Sequence, residues 1–204
     1  MRDVENIKAV SNLPIDYMGF IFYEKSPRYV SNFPSLKDLE SFGFKAKKVG
    51  VFVNADLHFV VTKVLENQLD IAQLHGKEMV EYISELKFML PHLGIWKAFS
   101  VDEIFDFNDT KTYGNCADIF LFDTKSPQHG GAGIKFDWSS LTNYQGETPF
   151  MLAGGITEND VEAIKNLKSQ IPNLFGLDLN SKFEISPALK DVEKLKRFLS
   201  HESC

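Results

Sequence analysis

Cysteine is scarce in this chain, and its scarcity removes a class of explanations. Cys116 and Cys204 are the only two among 204 residues. They lie far apart, and neither has a second cysteine or a histidine at metal-ligand spacing, which argues against a disulfide framework and a zinc site. Basic charge is also short. With 22 Lys and Arg against 28 Asp and Glu, the net charge is −6, the wrong sign for an extended surface that follows a phosphate backbone. A local anion pocket stays compatible with it. No run of about 18 apolar residues occurs, and the first five residues lead into an amphipathic pattern without a signal-peptide core. Neither a membrane span nor a leader is expected, and a cytoplasmic location is. Linkers, low-complexity tracts and charge runs are lacking too, so residues 1–204 are expected to form one domain.

What is present is an alternation. Short apolar runs rich in Val, Ile and Phe alternate with stretches of helical periodicity, the pattern of parallel strands joined by crossover helices. Strands are expected at 18–23, 48–53, 71–75, 94–101, 119–124, 150–153 and 174–179, and helices at 4–10, 35–42, 57–67, 79–90, near 101–107, near 138–141, at 158–167 and at 190–199. Asp3, Ser35 and Thr157 with Asp160 stand where helix caps belong. Seven strands and eight helices suit an open doubly wound sheet, or a (β/α)₈ barrel without its first strand, in which two strand edges would stay unpaired. The eighteen phenylalanines read as strand and helix packing, since base stacking fits poorly with the acidic charge.

One stretch has the layout of an active site. Ile119-Phe-Leu-Phe-Asp123-Thr-Lys125 is an apolar strand ending in an acid. It is followed by the glycine-rich Gly130-Gly-Ala-Gly133 and then Phe136-Asp-Trp138, which starts a helix. An acid on a rigid strand end beside a loop able to exclude water is suited to catalysis. A strand-terminating aspartate followed by turn glycines accounts for the same local sequence.

The strand ends carry a series in order: Gly19-Phe-Ile-Phe-Tyr-Glu-Lys-Ser-Pro-Arg28-Tyr-Val, Val49-Gly-Val-Phe-Val-Asn54, Gln73-Leu-His75-Gly76, Lys97-Ala-Phe, Phe122-Asp123-Thr-Lys125 with its glycine loop, Ala153-Gly-Gly-Ile156, and Gly176-Leu-Asp178-Leu-Asn-Ser181. Together they resemble the phosphoribosylanthranilate isomerases of tryptophan biosynthesis, along the whole chain. The resemblance implies the barrel rather than the open sheet. It also implies an Amadori rearrangement of N-(5-phosphoribosyl)anthranilate to 1-(2-carboxyphenylamino)-1-deoxyribulose 5-phosphate, with no metal and no cofactor. That chemistry needs a general acid to protonate the furanose oxygen and a general base to take the C2 proton.

By the same resemblance, Asp123 is the acid, with its pKa raised by partial burial, and Arg28 binds the anthranilate carboxylate. His75 lines the substrate pocket, without a proton-transfer role. Phosphate is held by main-chain groups at Gly154, Gly155, Asn180 and Ser181, with Asp178 facing the pocket and Gly131 in the loop over it. The family's base is a cysteine at the end of a first strand, in a Lys-Val-Cys-Gly-Met type motif. This sequence starts at what resembles the Met of that motif, so strand, cysteine and base are missing. Asn180, Lys182 and Ala188 depart from the family text, the last replacing a common glycine.

Three functions compete. One is an active isomerase whose first strand lies upstream, and the second a non-catalytic or impaired phosphosugar-binding homologue. The third is a related sugar-phosphate isomerase of the histidine pathway, which the single-acid arrangement disfavours. Lys97 is expected to point into the barrel interior, with Asp123 as a candidate partner. The partners expected are a small phosphosugar and neither nucleic acid nor membrane, with the oligomeric state left open.

Overall fold

In the computed structural model, which describes residues 1–30, 39, 43–124 and 135–202, the alternation becomes an α/β fold around a parallel sheet. Helix α1 (Val4–Ser11) precedes β1 (Tyr17–Ile21) and β2 (Lys47–Phe52). Helix α2 (Leu57–Asn67), β3 (Ile71–Leu74), α3 (Val80–Met89), β4 (Gly94–Val101), β5 (Ile119–Thr124), β6 (Phe150–Leu152), α4 (Val161–Gln170) and β7 (Leu174–Leu177) follow. The short β8 (Glu184–Ser186) and β9 (Leu189–Lys190) then lead to α5 (Val192–Glu202). The sheet order is β1-β2-β3-β4-β5-β6-β7, each neighbouring pair parallel.

The sheet is curled. Tyr17 of β1 and Phe175 of β7, on its two edge strands, have ring centroids 6.3 Å apart. Period-two alternation then sends side chains to two different cores. Val49, Ile71, Trp96, Ala98, Ile119, Leu121, Met151 and Ala153 form the inner one, with Tyr17 packed against it. The intervening residues, such as Phe52, Phe120, Phe122 and Phe150, join the larger core between sheet and helices. Burial on both faces is why these strands read as continuous apolar runs. Phe122 lies at the centre of an aromatic group with Phe99, Phe105, Phe107, Tyr144 and Phe150, whose centroids are 4.9 to 6.4 Å from it. Phe20, Phe22, Phe52 and Phe122 thus pack, as read, while Phe88 and Phe175 are exposed.

Caps fix several helix starts. Asp3 Oδ1 accepts from the Asn6 amide at 2.7 Å, Asp56 from those of His58 and Phe59 at 2.8 and 3.3 Å, and Asp160 from the Thr157 amide and hydroxyl at 2.6 and 2.8 Å. Asn6, buried on α1, donates to the Lys190 carbonyl at 2.9 Å and accepts from the Lys190 amide at 2.7 Å. The two ends of the chain are thereby joined.

The expected eight helices are not found. Among the described residues there are five α-helices and four short 3₁₀ turns. The helix near 101–107 does not form, because β4 continues to Val101 and the side chains of Asp102 and Asp106 bond backbone amides two residues on, at 3.2 and 2.9 Å. Such local bonds favour turns over helix, and a 3₁₀ turn follows at Phe107–Tyr113. The segment near 138–141 is likewise a 3₁₀ turn, Trp138–Asn143. The last helix starts at Val192, since Lys190 is held in β9. The β8–β9 hairpin itself was not expected. The helix at 35–42 with its Ser35 cap, the Gly130–Gly133 loop with Gly131, and Cys204 lie outside the described residues, apart from Leu39.

Ala188, where the related sequences commonly have glycine, has φ 70° in the hairpin turn. A side chain in that left-handed region costs about 1–3 kcal/mol. Replacement of Ala188 by Gly is expected to raise stability by about 0.5–1 kcal/mol after the added freedom of the unfolded chain is subtracted. Urea denaturation of both proteins measures this.

Candidate active site

The seven strands of the main sheet are parallel, so their carboxyl ends open at one mouth. A cavity of about 800 Å³ begins there and continues between β1 and β7, past Ile15, Tyr17, Phe175, Leu195 and Phe198. Asp123, the fifth residue of β5, follows the inward phase of Ile119 and Leu121 and lines the mouth. His75 directly follows β3, its backbone amide donating to the Phe52 carbonyl at 2.8 Å. Its Nε2 lies 3.3 Å from Asp123 Oδ2, and its Nδ1 lies 3.3 Å from Gln73 Oε1. Asp178 lines the same cavity just after β7. Burial pushes its carboxyl pKa up, and the charge of Asp123 adds to the shift, while Lys190 and His75 oppose it. The mouth therefore gathers two carboxyl groups and an imidazole.

Backbone at the mouth is shaped for close approach. Gly154 and Gly155 have φ 87° and 69°, conformations glycine adopts without strain. A Cβ on Gly154 would run into Thr124 and come within 2.7 Å of Asp123 Oδ1. Ser181 opens a 3₁₀ turn, Ser181–Phe183, and Asn180 Oδ1 accepts from Lys190 Nζ at 2.9 Å.

Two buried ionic groups hold this mouth together. Glu78 accepts from the Asn54 amide at 2.7 Å and the Gly76 amide at 2.9 Å. Lys97 Nζ donates to Glu78 Oε2 at 3.3 Å and to the carbonyls of Leu74, Gly76 and Ala98 at 3.2, 2.7 and 3.1 Å. The ends of β2 and β3 are thereby riveted to the middle of β4. Burial lowers the Lys97 pKa, and Glu78 pulls it back up. The second group is Arg28, whose Nε and Nη2 clamp Glu184 at 2.7 to 3.1 Å, with Lys190 Nζ 3.3 Å from the same carboxylate. Burial alone would raise the Glu184 pKa; Arg28 and Lys190 hold it below the ordinary value of 4.5.

Comparison with known proteins decides what this mouth belongs to. Residues 1–201 match the family N-(5'phosphoribosyl)anthranilate (PRA) isomerase. A protein of Parabacteroides distasonis named N-(5'-phosphoribosyl)anthranilate isomerase is 45% identical over 200 residues, 98% of this chain and 89% of that one. The chain belongs to the phosphoribosylanthranilate isomerase family. Its fold matches the crystal structure of phosphoribosyl anthranilate isomerase from Thermus thermophilus with a TM-score of 0.84 at 24% identity, covering 100% of this chain and 95% of that one. A further isomerase structure, 25% identical with a TM-score of 0.76 and the same coverage, is a complex with reduced 1-(o-carboxyphenylamino)-1-deoxyribulose 5-phosphate.

Of the residues singled out from sequence, Asp123, His75, Arg28, Gly154, Gly155, Asp178, Asn180 and Ser181 all line the one cavity. Gly131 is outside the described residues. Lys97 departs from expectation. It lies on the opposite phase of β4 from the inward Trp96 and Ala98, so it faces the helix layer and pairs with Glu78 rather than Asp123. Cys116 is buried, and burial raises its thiol pKa, as suits a packing residue of this isomerase-family barrel. Gln73, Glu78, Glu184 and Lys190 were missed. Glu78 stands four residues past the end of β3 and two past Gly76, a local spacing that sequence could show; the Glu184 pairing spans 156 residues and carries no such signal.

Two outcomes are expected. Lys97→Met leaves the Glu78 carboxylate buried without its cation and should cost about 3–5 kcal/mol in denaturant titration. For Glu184 the folded pKa is depressed, so its stabilisation is complete above 4.5 and is lost as pH falls through the folded value. Stability measured from about pH 7 to about pH 3 should fall less steeply on the acid side for Glu184→Gln, which has already lost that contribution at neutral pH.

Proposed function

We propose that this chain performs the reaction of its family in the cytoplasm, converting N-(5-phosphoribosyl)anthranilate to 1-(2-carboxyphenylamino)-1-deoxyribulose 5-phosphate, with Asp123 as general acid. The single observation that carries the reading is Asp123 at the mouth of the cavity, on the carboxyl end of β5 and in contact with His75. In the step assigned to it, Asp123 gives its proton to the furanose oxygen as the C1–O bond breaks toward that oxygen, and the anthranilate nitrogen shares its electron pair with C1. Removal of the C2 proton from the resulting Schiff base then leads to the aminoketose.

Arg28 is the proposed contact for the anthranilate carboxylate. Its clamp on Glu184 supports this by holding the guanidinium at the β1 side of the cavity. Gly154, Gly155, Asn180 and Ser181 are the proposed phosphate contacts, supported by the open backbone at the glycines, and Gly131 is a further proposed substrate contact. His75 and Asp178 bound the ribose region. We assign the base to one further parallel strand in the seam between β1 and β7, which would make the sheet an eight-stranded barrel and bring a cysteine to the mouth. The apolar lining of that seam supports the assignment.

Turnover followed by the fluorescence of phosphoribosylanthranilate tests this. A chain extended by a strand that carries the cysteine is expected to turn over rapidly, and Asp123→Asn in it should reduce kcat by about 10²- to 10⁴-fold. Undiminished turnover by the Asp123→Asn protein would remove the acid from its role. Binding of product without turnover in the extended chain would point to a phosphosugar-binding protein.

A further inference from the structure

Gln73 is a polar side chain where the fold otherwise places apolar ones. It lies on β3 in register with Val51 and Trp96, faces the cavity, and is only 4% exposed. A buried amide is retained at low cost only if it is hydrogen-bonded. Its Oε1 is directed at His75 Nδ1, two residues along the same face of the strand. His75 Nε2 in turn faces Asp123 Oδ2. Three side chains from two strands thus form one line, running from the barrel interior to the mouth.

The chemistry of that line is restrictive. An amide oxygen only accepts, so with Oε1 turned to it Nδ1 carries a proton, whereas a flipped amide would offer its NH2 to a bare Nδ1. The neutral imidazole then presents a lone pair at Nε2, which Oδ2 at 3.3 Å can meet with a hydrogen bond only as a protonated carboxyl. With the other tautomer, Nε2–H would donate to a carboxylate, and Asp123 would have no proton to give. We propose that Gln73 is a positioning residue for the acid: by fixing His75 as the Nδ1–H tautomer, it keeps a transferable proton between His75 and Asp123.

The proposal deepens the isomerase reading and rests on Asp123 being its acid. After Asp123 has protonated the furanose oxygen, the C2 proton released by the base to solvent is regained through Nε2 at Oδ2, so one proton leaves the pair and one returns in each turnover. The charged groups facing the pair are Asp178 beyond β7, with Lys190 and Glu184 of the hairpin behind it. Lys97 and Glu78, beside β3, are engaged with each other.

Nitrogen-15 labelling of the histidines, with long-range proton–nitrogen correlation at about pH 8, where a histidine of ordinary pKa is neutral, reads the tautomer directly; His75→Asn assigns the signal. The expected result is a protonated Nδ1 and bare Nε2 in the wild type. Gln73→Met should shift His75 toward the Nε2–H form, and Gln73→Glu, which retains an acceptor, should restore Nδ1–H. A wild-type His75 in the Nε2–H form, or one unchanged by Gln73→Met, overturns the proposal. Should Gln73→Met not fold, the wild-type tautomer and Gln73→Glu decide. In the extended, active chain Gln73→Met should lower kcat at least about tenfold with little change in KM, because a wrong tautomer removes the proton that the step requires. The tautomer is read without turnover, so failure of the isomerase reading and failure of this proposal give different results.

Discussion

The rest of the molecule depends on the requirement that all seven strands run parallel in a curled sheet. A parallel sheet puts the same chemical end of every strand at the same rim, and a period of two decides which residue at that rim faces inward. Asp123 faces the cavity because Ile119 and Leu121 face the inner core, and Phe120 and Phe122 cannot face it for the same reason. The aromatic group around Phe122 therefore bears on function: it fixes the phase of β5, and a one-residue slip would turn Asp123 away from the mouth.

Charge at the rim is managed by pairing it below the surface. Glu78 and Lys97, with side chains 2% and 3% exposed, bind each other and the backbone ends of β2 and β3. A buried ion pair of this kind contributes geometry more than stability, and here the geometry is that of the loop carrying His75. Glu184 does the same on the far side of the rim, joining Arg28 to Lys190 and so tying the β1 loop to the hairpin that precedes α5. Between the two knots lie the groups with less complete compensation, Asp123, His75 and Asp178. That contrast, of rivets around a small set of titratable groups at the mouth, shows how a rigid scaffold can hold such groups at its edge.

Legibility followed sequence separation. The strands were legible because burial on both faces makes them continuous apolar runs, and α2 and α4 because their caps and apolar spacing are local. The segment near 101–107 departs from the helix expected of it because its aspartates bond the backbone in turns. Lys97 misled for a different reason. Its strand assignment was sound, but which face of β4 is inward depends on the curl of the whole sheet, and no short window contains that information. Ala188 was flagged only as a departure from glycine; its positive φ belongs to a hairpin whose strands are too short to show alternation.

The sequence by itself determined the order of strands and helices, the acid at the end of the fifth strand, and a series of strand-end motifs sufficient to indicate the family, because each is written within a few consecutive residues. Tertiary structure alone decided which groups meet. Arg28 finds Glu184 across 156 positions, Lys97 finds Glu78 across 19, and Asn6 finds Lys190 across 184. Asp123 meets His75, and through it Gln73, only because three neighbouring strands end side by side. Local propensity carries no record of such encounters; they arise when the sheet curls and its strand ends are brought to one rim.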